Sequence, residues 1–283
     1  MDQPQTATPQ PTPQPTAPLQ IRVGFDVALR FPEATPMIVT LDVHSSRAGD
    51  LLEIEPLQLT PAVPLRTYLD SYGNRCSRLV APAGRLQLRG GALVADDGLP
   101  DPVLPSLVQQ PVQDLPEEAL LFLLASRFCE SDLLSDVAWS RFEAAPTGWG
   151  RVQAICDFVH QHVRFDYGRT NPTKSALQTF ESREGVCRDF AHLAIALCRC
   201  MNIPARYCTG YLSDIGVPPP HTAMDFAGWF EAYLGDGWHV FDPRNNTPRI
   251  GRILIARGRD AADVALTTTF GPSLLESFEV RTA

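Results

Sequence analysis

Cys187 stands two residues after Gly185, at the head of the apolar run in "EGVCRDFAHLAIALCR" (184–199). A thiol at a helix start faces unpaired backbone N–H groups and the positive end of the helix dipole. Both favour thiolate over thiol. The same N–H groups can donate to an oxyanion as a carbonyl is attacked, which is the chemistry of acyl transfer. A cysteine in such a run is also a common small core residue. On spacing alone both readings stand open. The other cysteines do not form a metal motif: there is no CxxC pair, and Cys198 and Cys200 diverge by roughly 160° on a helix. Seven cysteines, an odd number, without a secretory leader point to reduced thiols.

The elements that position Cys187 are legible from periodicity. Helical spacing recurs in "PEEALLFLLASRF", in "SDLLSDVAWSRF" and in "GRVQAICDFVHQHVRF", where Val152, Ile155, Val159 and Val163 are three and four apart. A further helix is expected from about Cys187 to Met201, stopped by Asn202 and Pro204. Strands follow in "ARYCTGYL", "FAGWFEAYL" and "WHVFDP", the last two joined by "GDG". Helices first and an antiparallel sheet afterwards give an α+β unit.

Upstream, "LQIRVGFDVALRF" (19–31) alternates strictly from Leu19 to Phe31 and reads as a half-buried strand. With "MIVTLDV", "LLEIEPLQL", "CSRLVAP" and "RLQLRGGALVADD" it predicts a small antiparallel β domain over 19–98. Residues 99–116 carry five prolines and read as a linker, and 117–283 as the α+β core with a C-terminal extension. Residues 1–18 hold six prolines and no basic residue, so they read as a disordered or polyproline arm and not as a signal peptide. On that reading a cytoplasmic protein is expected. A formal charge of −8 argues against a nucleic-acid partner, and no stretch approaches the ~20 apolar residues of a membrane span.

"GVCRDFAHLAIALCRCMNIPARYCTGYL", followed by "WFEAYLGDGWHVFDPRNN" and "RIGRILIARGRDAADVALTTTFGP", closely resembles the bacterial transglutaminase-like family of the papain-like cysteine-protease superfamily. The resemblance implies a papain-like transglutaminase core preceded by an antiparallel β domain. It also implies a Cys–His–Asp triad, with Cys187 as nucleophile and Asp242 in "FDP" as the orienting carboxylate. The family's histidine belongs to a His-Ala-Trp stretch that here reads Ala227-Gly228-Trp229. Alanine occupies the position of the base. The implied activity is acyl transfer, or hydrolysis of a protein or peptide amide, through a thioester and without cofactor or metal. The alternative is a degenerate member that uses the cleft for protein or peptide binding.

The base normally takes the thiol proton, and a carboxylate of pKa about 4 is a poor substitute for it. Among the six histidines, His221 in "GVPPPHTAMDF" is the candidate replacement, because its proline-rich loop should border the cleft. His44 reads as a surface residue, and His160 and His162 as structural positions on a helix. His192 points roughly 140° away from Cys187. His239 and Asp242, three apart on a strand, face opposite ways. Tyr167 in "FDYG", Asp225, Ala227 and Trp229 are the expected cleft or substrate residues. Arg249, Arg252, Arg257 and Arg259, near Asp260 and Asp263, read as a salt-bridged wrapping segment.

Overall fold

The computed structural model describes residues 18–169, 171–219 and 225–283. The arm up to residue 17 and His221 lie outside the described residues. Six strands come first: β1 (Leu19–Phe31), β2 (Thr35–Val39), β3 (Leu51–Thr60), β4 (Leu65–Leu69), β5 (Arg75–Ala81) and β6 (Gly84–Asp96). The core supplies α1 (Glu117–Leu120), α2 (Ser131–Phe142), α3 (Trp149–His162), β7 (Arg164–Phe165), α4 (Ala176–Ser182), β8 (Glu184–Gly185) and α5 (Cys187–Cys200). Then come β9 (Ala205–Leu212), β10 (Ala227–Leu234), β11 (Gly237–Phe241), β12 (Arg252–Gly258), β13 (Thr267–Thr269) and β14 (Leu274–Thr282).

The long alternation of β1 produces the expected strand. It pairs antiparallel with β6 without a break, from Leu19 opposite Asp96 to Phe31 opposite Gly84. Its inward row of Ile21, Val23, Phe25, Val27, Leu29 and Phe31 is buried. Each such side chain is worth about 1.5–3 kcal/mol of transfer free energy. One upstream sheet runs β14-β1-β6-β3 and the other β13-β2-β5-β4. The last two strands of the chain therefore return to the upstream sheets. β14 pairs with β1 and β13 with β2, so residues 267–282 belong structurally with the β region and not with the core that precedes them. This corrects the expectation of a C-terminal extension of the core, because the pairing is long-range and local periodicity does not encode it.

The core is α+β, as expected. Its sheet, ordered β11-β10-β9-β12, packs against α5, which is buried along nearly its whole length. Pro116–Phe128 is less helical than its apolar content suggests: α1 is one turn long. The buried Arg199 guanidinium of α5 donates to Leu124 O at 3.0 Å and Ser126 Oγ at 2.9 Å, and those acceptors require a turned backbone. The proline-rich 99–116 segment is strapped to the core. Leu107 O accepts from Trp149 N at 3.0 Å, Val108 O accepts from Gly235 N at 2.9 Å, and Asp101 pairs with Arg252. No helix among the described residues is long and apolar enough to cross a membrane.

His44 departs from the surface reading, being fully buried. Its Nδ1 accepts from Ser46 N at 3.0 Å, and its Nε2 lies 3.1 Å from Tyr72 O. With Nδ1 an acceptor, Nε2 carries the hydrogen and donates. Its backbone N–H donates to Leu254 O, so the residue ties the β region to the core sheet. Of the arginines after Ile250, only Arg259 pairs locally, with Asp263 at 2.9 Å. Arg252 and Arg257 lie in β12 inside the core sheet, not on a wrapping segment.

Candidate active site

Cys187 is the first residue of α5, with Val186 as its N-cap. Asp189 reaches back to accept from Val186 N at 3.0 Å, closing the helix start, and is itself buried against Arg188 at 3.0 Å. Gly185 is required there: a Cβ at that position would lie 2.7 Å from the Asp189 carboxylate. The parallel β7–β8 pairing then carries Phe165 and Tyr167 alongside the helix start.

Cys187 is partly exposed in a small cleft of about 80 Å³. Tyr167, Asp225, Ala227, Gly228, Arg244 and Asn245 share its walls. Three expected site residues, Tyr167, Asp225 and Ala227, are thus brought to the thiol. Trp229 is not. It shares the face of Ala227 but lies further along β10, packed with Cys208 and Leu254 under the Arg252 guanidinium, 4.7 Å from its ring. Among the described residues no histidine lines the cleft. His160 contacts Pro243 O and Arg244 O through Nδ1, and His162 contacts Phe180 O. His192 Nε2 accepts from Ala261 N within the core, and His239 packs on Trp149.

Asp242 sits one layer behind the cleft wall and is nearly buried. Its Oδ2 accepts from Asn245 Nδ2 at 2.7 Å and from Arg252 at 3.2 Å, and its Oδ1 accepts from Asn245 N at 3.0 Å. Asn245 therefore holds the carboxylate much as an imidazole N–H would. Its own Oδ1 accepts from Arg244 at 2.7 Å, and Arg244 stacks over Phe165 at 4.4 Å. Asn245 was not foreseen. The signal for it is the Asp-x-x-Asn spacing in "DPRNN", which favours a side-chain-capped turn.

Burial pushes the Cys187 thiol up to about 11; a hydrogen bond from the Gly228 backbone N–H opposes this, and the charges of Asp225 and Asp242 add to it. The thiolate preference expected of the helix start is thus outweighed by desolvation. Asp225 is itself held above the ordinary carboxylate range by desolvation, against a hydrogen bond from Phe226 N. Tyr207 is a second unforeseen neighbour. Its hydroxyl lies 2.5 Å from where a Cβ on Gly228 would stand, which accounts for glycine where the family pattern has alanine. Burial and the neighbouring Cys187 both raise the Tyr207 phenol. No group of three or more His, Cys, Asp or Glu side chains that could hold a metal occurs among the described residues.

This arrangement, a cleft cysteine at the head of a buried helix packed on an antiparallel sheet, defines a papain-like cysteine fold. The transglutaminase-like superfamily model matches residues 139–243. A solved structure from Cytophaga hutchinsonii, described as a candidate cysteine protease, is 32% identical with a TM-score of 0.80, covering 95% of this chain and 91% of that one. The chain belongs to the transglutaminase-like superfamily. An uncharacterised Mycobacterium leprae protein is 38% identical over 108 residues, which is 36% of this chain and 38% of that protein. An uncharacterised Mycobacterium tuberculosis protein is 35% identical over 117 residues, 38% of this chain and 37% of its own length. The chain thus spans well under half the length of these mycobacterial relatives.

Proposed function

We propose that this protein acts on a protein or peptide amide, with Cys187 as the nucleophile of acyl transfer or hydrolysis. The observation that carries the reading is the place of Cys187, at the head of α5 in the cleft wall with the Gly228 N–H on its sulfur. Sγ attacks the amide carbonyl, the C–N bond breaks, the amine leaves with a proton, and a thioester remains. An amine or water then attacks the thioester carbonyl and the thiol is restored. The N–H groups of the first helical turn supply donors for the oxyanion in both steps. In this reading Asp225, which shares the cleft wall and whose charge acts on Cys187 more strongly than that of Asp242, takes the thiol proton. Transfer from a thiol at about 11 to a carboxylate runs uphill, so turnover at neutral pH is slow.

One observation favours a second reading, in which the cleft binds such a segment without turning it over. No histidine among the described residues lines the cleft, and burial raises the thiol above its ordinary range. The test is a glutamine-containing peptide with hydroxylamine as acceptor. Wild type should release ammonia and form hydroxamate, about tenfold faster for each pH unit from 7 to 10, following the thiolate. Cys187→Ala should do neither. A peptide that binds but shows no Cys187-dependent turnover over that range would leave the binding reading in place.

A further inference from the structure

We propose that the upstream β region carries a second binding site, a cavity between its two sheets that takes a small neutral amphiphile such as an alkylphenol. The cavity measures about 200 Å³ and opens between β3 and β4, the unpaired edge strands of their respective sheets. A break in the β3–β6 register between Glu55 and Gln58 accompanies the opening. Val23, Phe25, Leu41, Val43, Leu51 and Leu57 supply the apolar wall, and Ile54 and Leu65 are exposed apolar residues that also line it.

One part of the lining is polar. Ser77 is 2% exposed and its Oγ has no hydrogen-bond partner. It shares the inward row of β5 with Leu79 and Ala81, where an apolar side chain would be expected. The Arg75 Nε, in the same row, is also buried without a partner. Asp42 and Tyr211 line the cavity as well. An unsatisfied buried polar group costs about 1–3 kcal/mol, and two in one cavity call for an occupant. Water alone fits poorly, because each buried molecule needs two to four polar partners and most of this wall offers none.

The same groups select the ligand. Ser77 and Arg75 can donate to an acceptor, while Asp42 can accept from a donor, so a hydroxyl or primary amide suits all three. A carboxylate head would meet the Asp42 charge, and an ammonium head the Arg75 charge. The volume accommodates an apolar body of about ring size with a short substituent.

The probe is p-cresol, compared with toluene, which has the same ring and methyl group but no hydroxyl. Titrations of the full chain are followed by calorimetry and by backbone amide shifts. We expect saturable p-cresol binding with a Kd of about a millimolar or tighter. Shifts should centre on Ser77 and Ala92, with toluene about fivefold weaker. Ser77→Ala should abolish the preference for p-cresol, and Thr67→Trp, on the exposed strand at the cavity wall, should block both ligands. Absence of saturable p-cresol binding to wild type would overturn the proposal. So would a preference unchanged in Ser77→Ala, or shifts centred on the Cys187 cleft.

Discussion

Cys187 and Cys198 are two thiols of one helix, at the cleft end and the core end of α5. Burial raises both above the ordinary thiol range. At Cys198 the neighbouring Cys200 raises it further and only Arg199 opposes. At Cys187 the Gly228 N–H and Arg244 oppose, so its pKa stops at about 11. A helix terminus contributes about 0.3–1 kcal/mol, rarely 2, or at most about one and a half pK units. Desolvation shifts a group by up to 3–5 units when burial is complete, and even at the partly exposed Cys187 it is the largest influence. Position at a helix start therefore makes a thiol available, but a cation or imidazole is needed to ionise it.

The largest expected effect follows directly. Ala227→His places an imidazole on the cleft wall beside Cys187 and should raise Cys187-dependent amide turnover at pH 7 by about 10²–10⁴-fold. Iodoacetamide labelling of Cys187 should accelerate in parallel, while Cys198 stays silent in the folded protein. Asn245 already occupies Asp242, so the added ring must compete for its orienting carboxylate. Adding Asn245→Ala should free that carboxylate and raise the rate further. An Ala227→His protein with an unchanged labelling rate would show that more than the base separates the two thiols.

Serine replacement contrasts the same pair in stability. Cys198→Ser places a hydroxyl in the apolar core and should cost about 1–3 kcal/mol in urea unfolding. Cys187→Ser should cost under about 1 kcal/mol, because the Gly228 N–H and the cleft mouth offer the hydroxyl partners. Equal losses at the two positions would remove the distinction between a cleft end and a core end.

How far this contrast was legible in the sequence differs between its parts. The strand alternation of β1, the two-residue turn between β10 and β11, and the end of α5 before Asn202 all follow from local rules. Cys187 was singled out by its place before an apolar run. Its protonation state was not, because desolvation depends on what the fold lays over the helix end. Trp229 shares the face of Ala227 on β10 but lies one residue pair further from the cleft mouth, where it packs with Cys208 and Leu254, and the family motif gives only that sequence neighbourhood. Asn245 follows Asp242 by three residues, a local turn signal, whereas Tyr207 comes from β9 and only tertiary packing brings it to Gly228. The return of β13 and β14 to the upstream sheets is likewise a long-range pairing that no local signal encodes.

Gly228 tests the packing at the cleft end. Gly228→Ala sets a Cβ 2.5 Å from the Tyr207 hydroxyl, which must then move, and overpacking of this kind costs about 1–3 kcal/mol. Tyr207→Phe removes the obstructing oxygen, so the double variant should recover most of the loss. If it recovers nothing, the strain lies in the remaining contacts, the ring carbon of residue 207 at 3.3 Å and Arg188 Cα at 3.4 Å, and not in the hydroxyl.

The smallest effect lies midway along the same helix, at His192. Desolvation holds its pKa well below the usual 6.5, and its Nε2 must stay unprotonated to accept from Ala261 N. His44 is depressed in the same direction, mainly by burial. Below pH 6.5 the unfolded chain binds protons at these positions that the folded protein does not. Their contribution is therefore complete above pH 6.5 and is lost as the pH falls, by at most about 1.4 kcal/mol per pH unit for each group. Urea unfolding at pH 7.5, 6.5 and 5.5 should show stability declining only across the lower interval. His192→Leu should be less stable at pH 7.5, since the Ala261 N–H loses its acceptor, yet decline less steeply. A slope unchanged by that substitution would mean that His192 does not hold its neutral form against solvent, and that the middle of α5 is less dry than its Cys198 end.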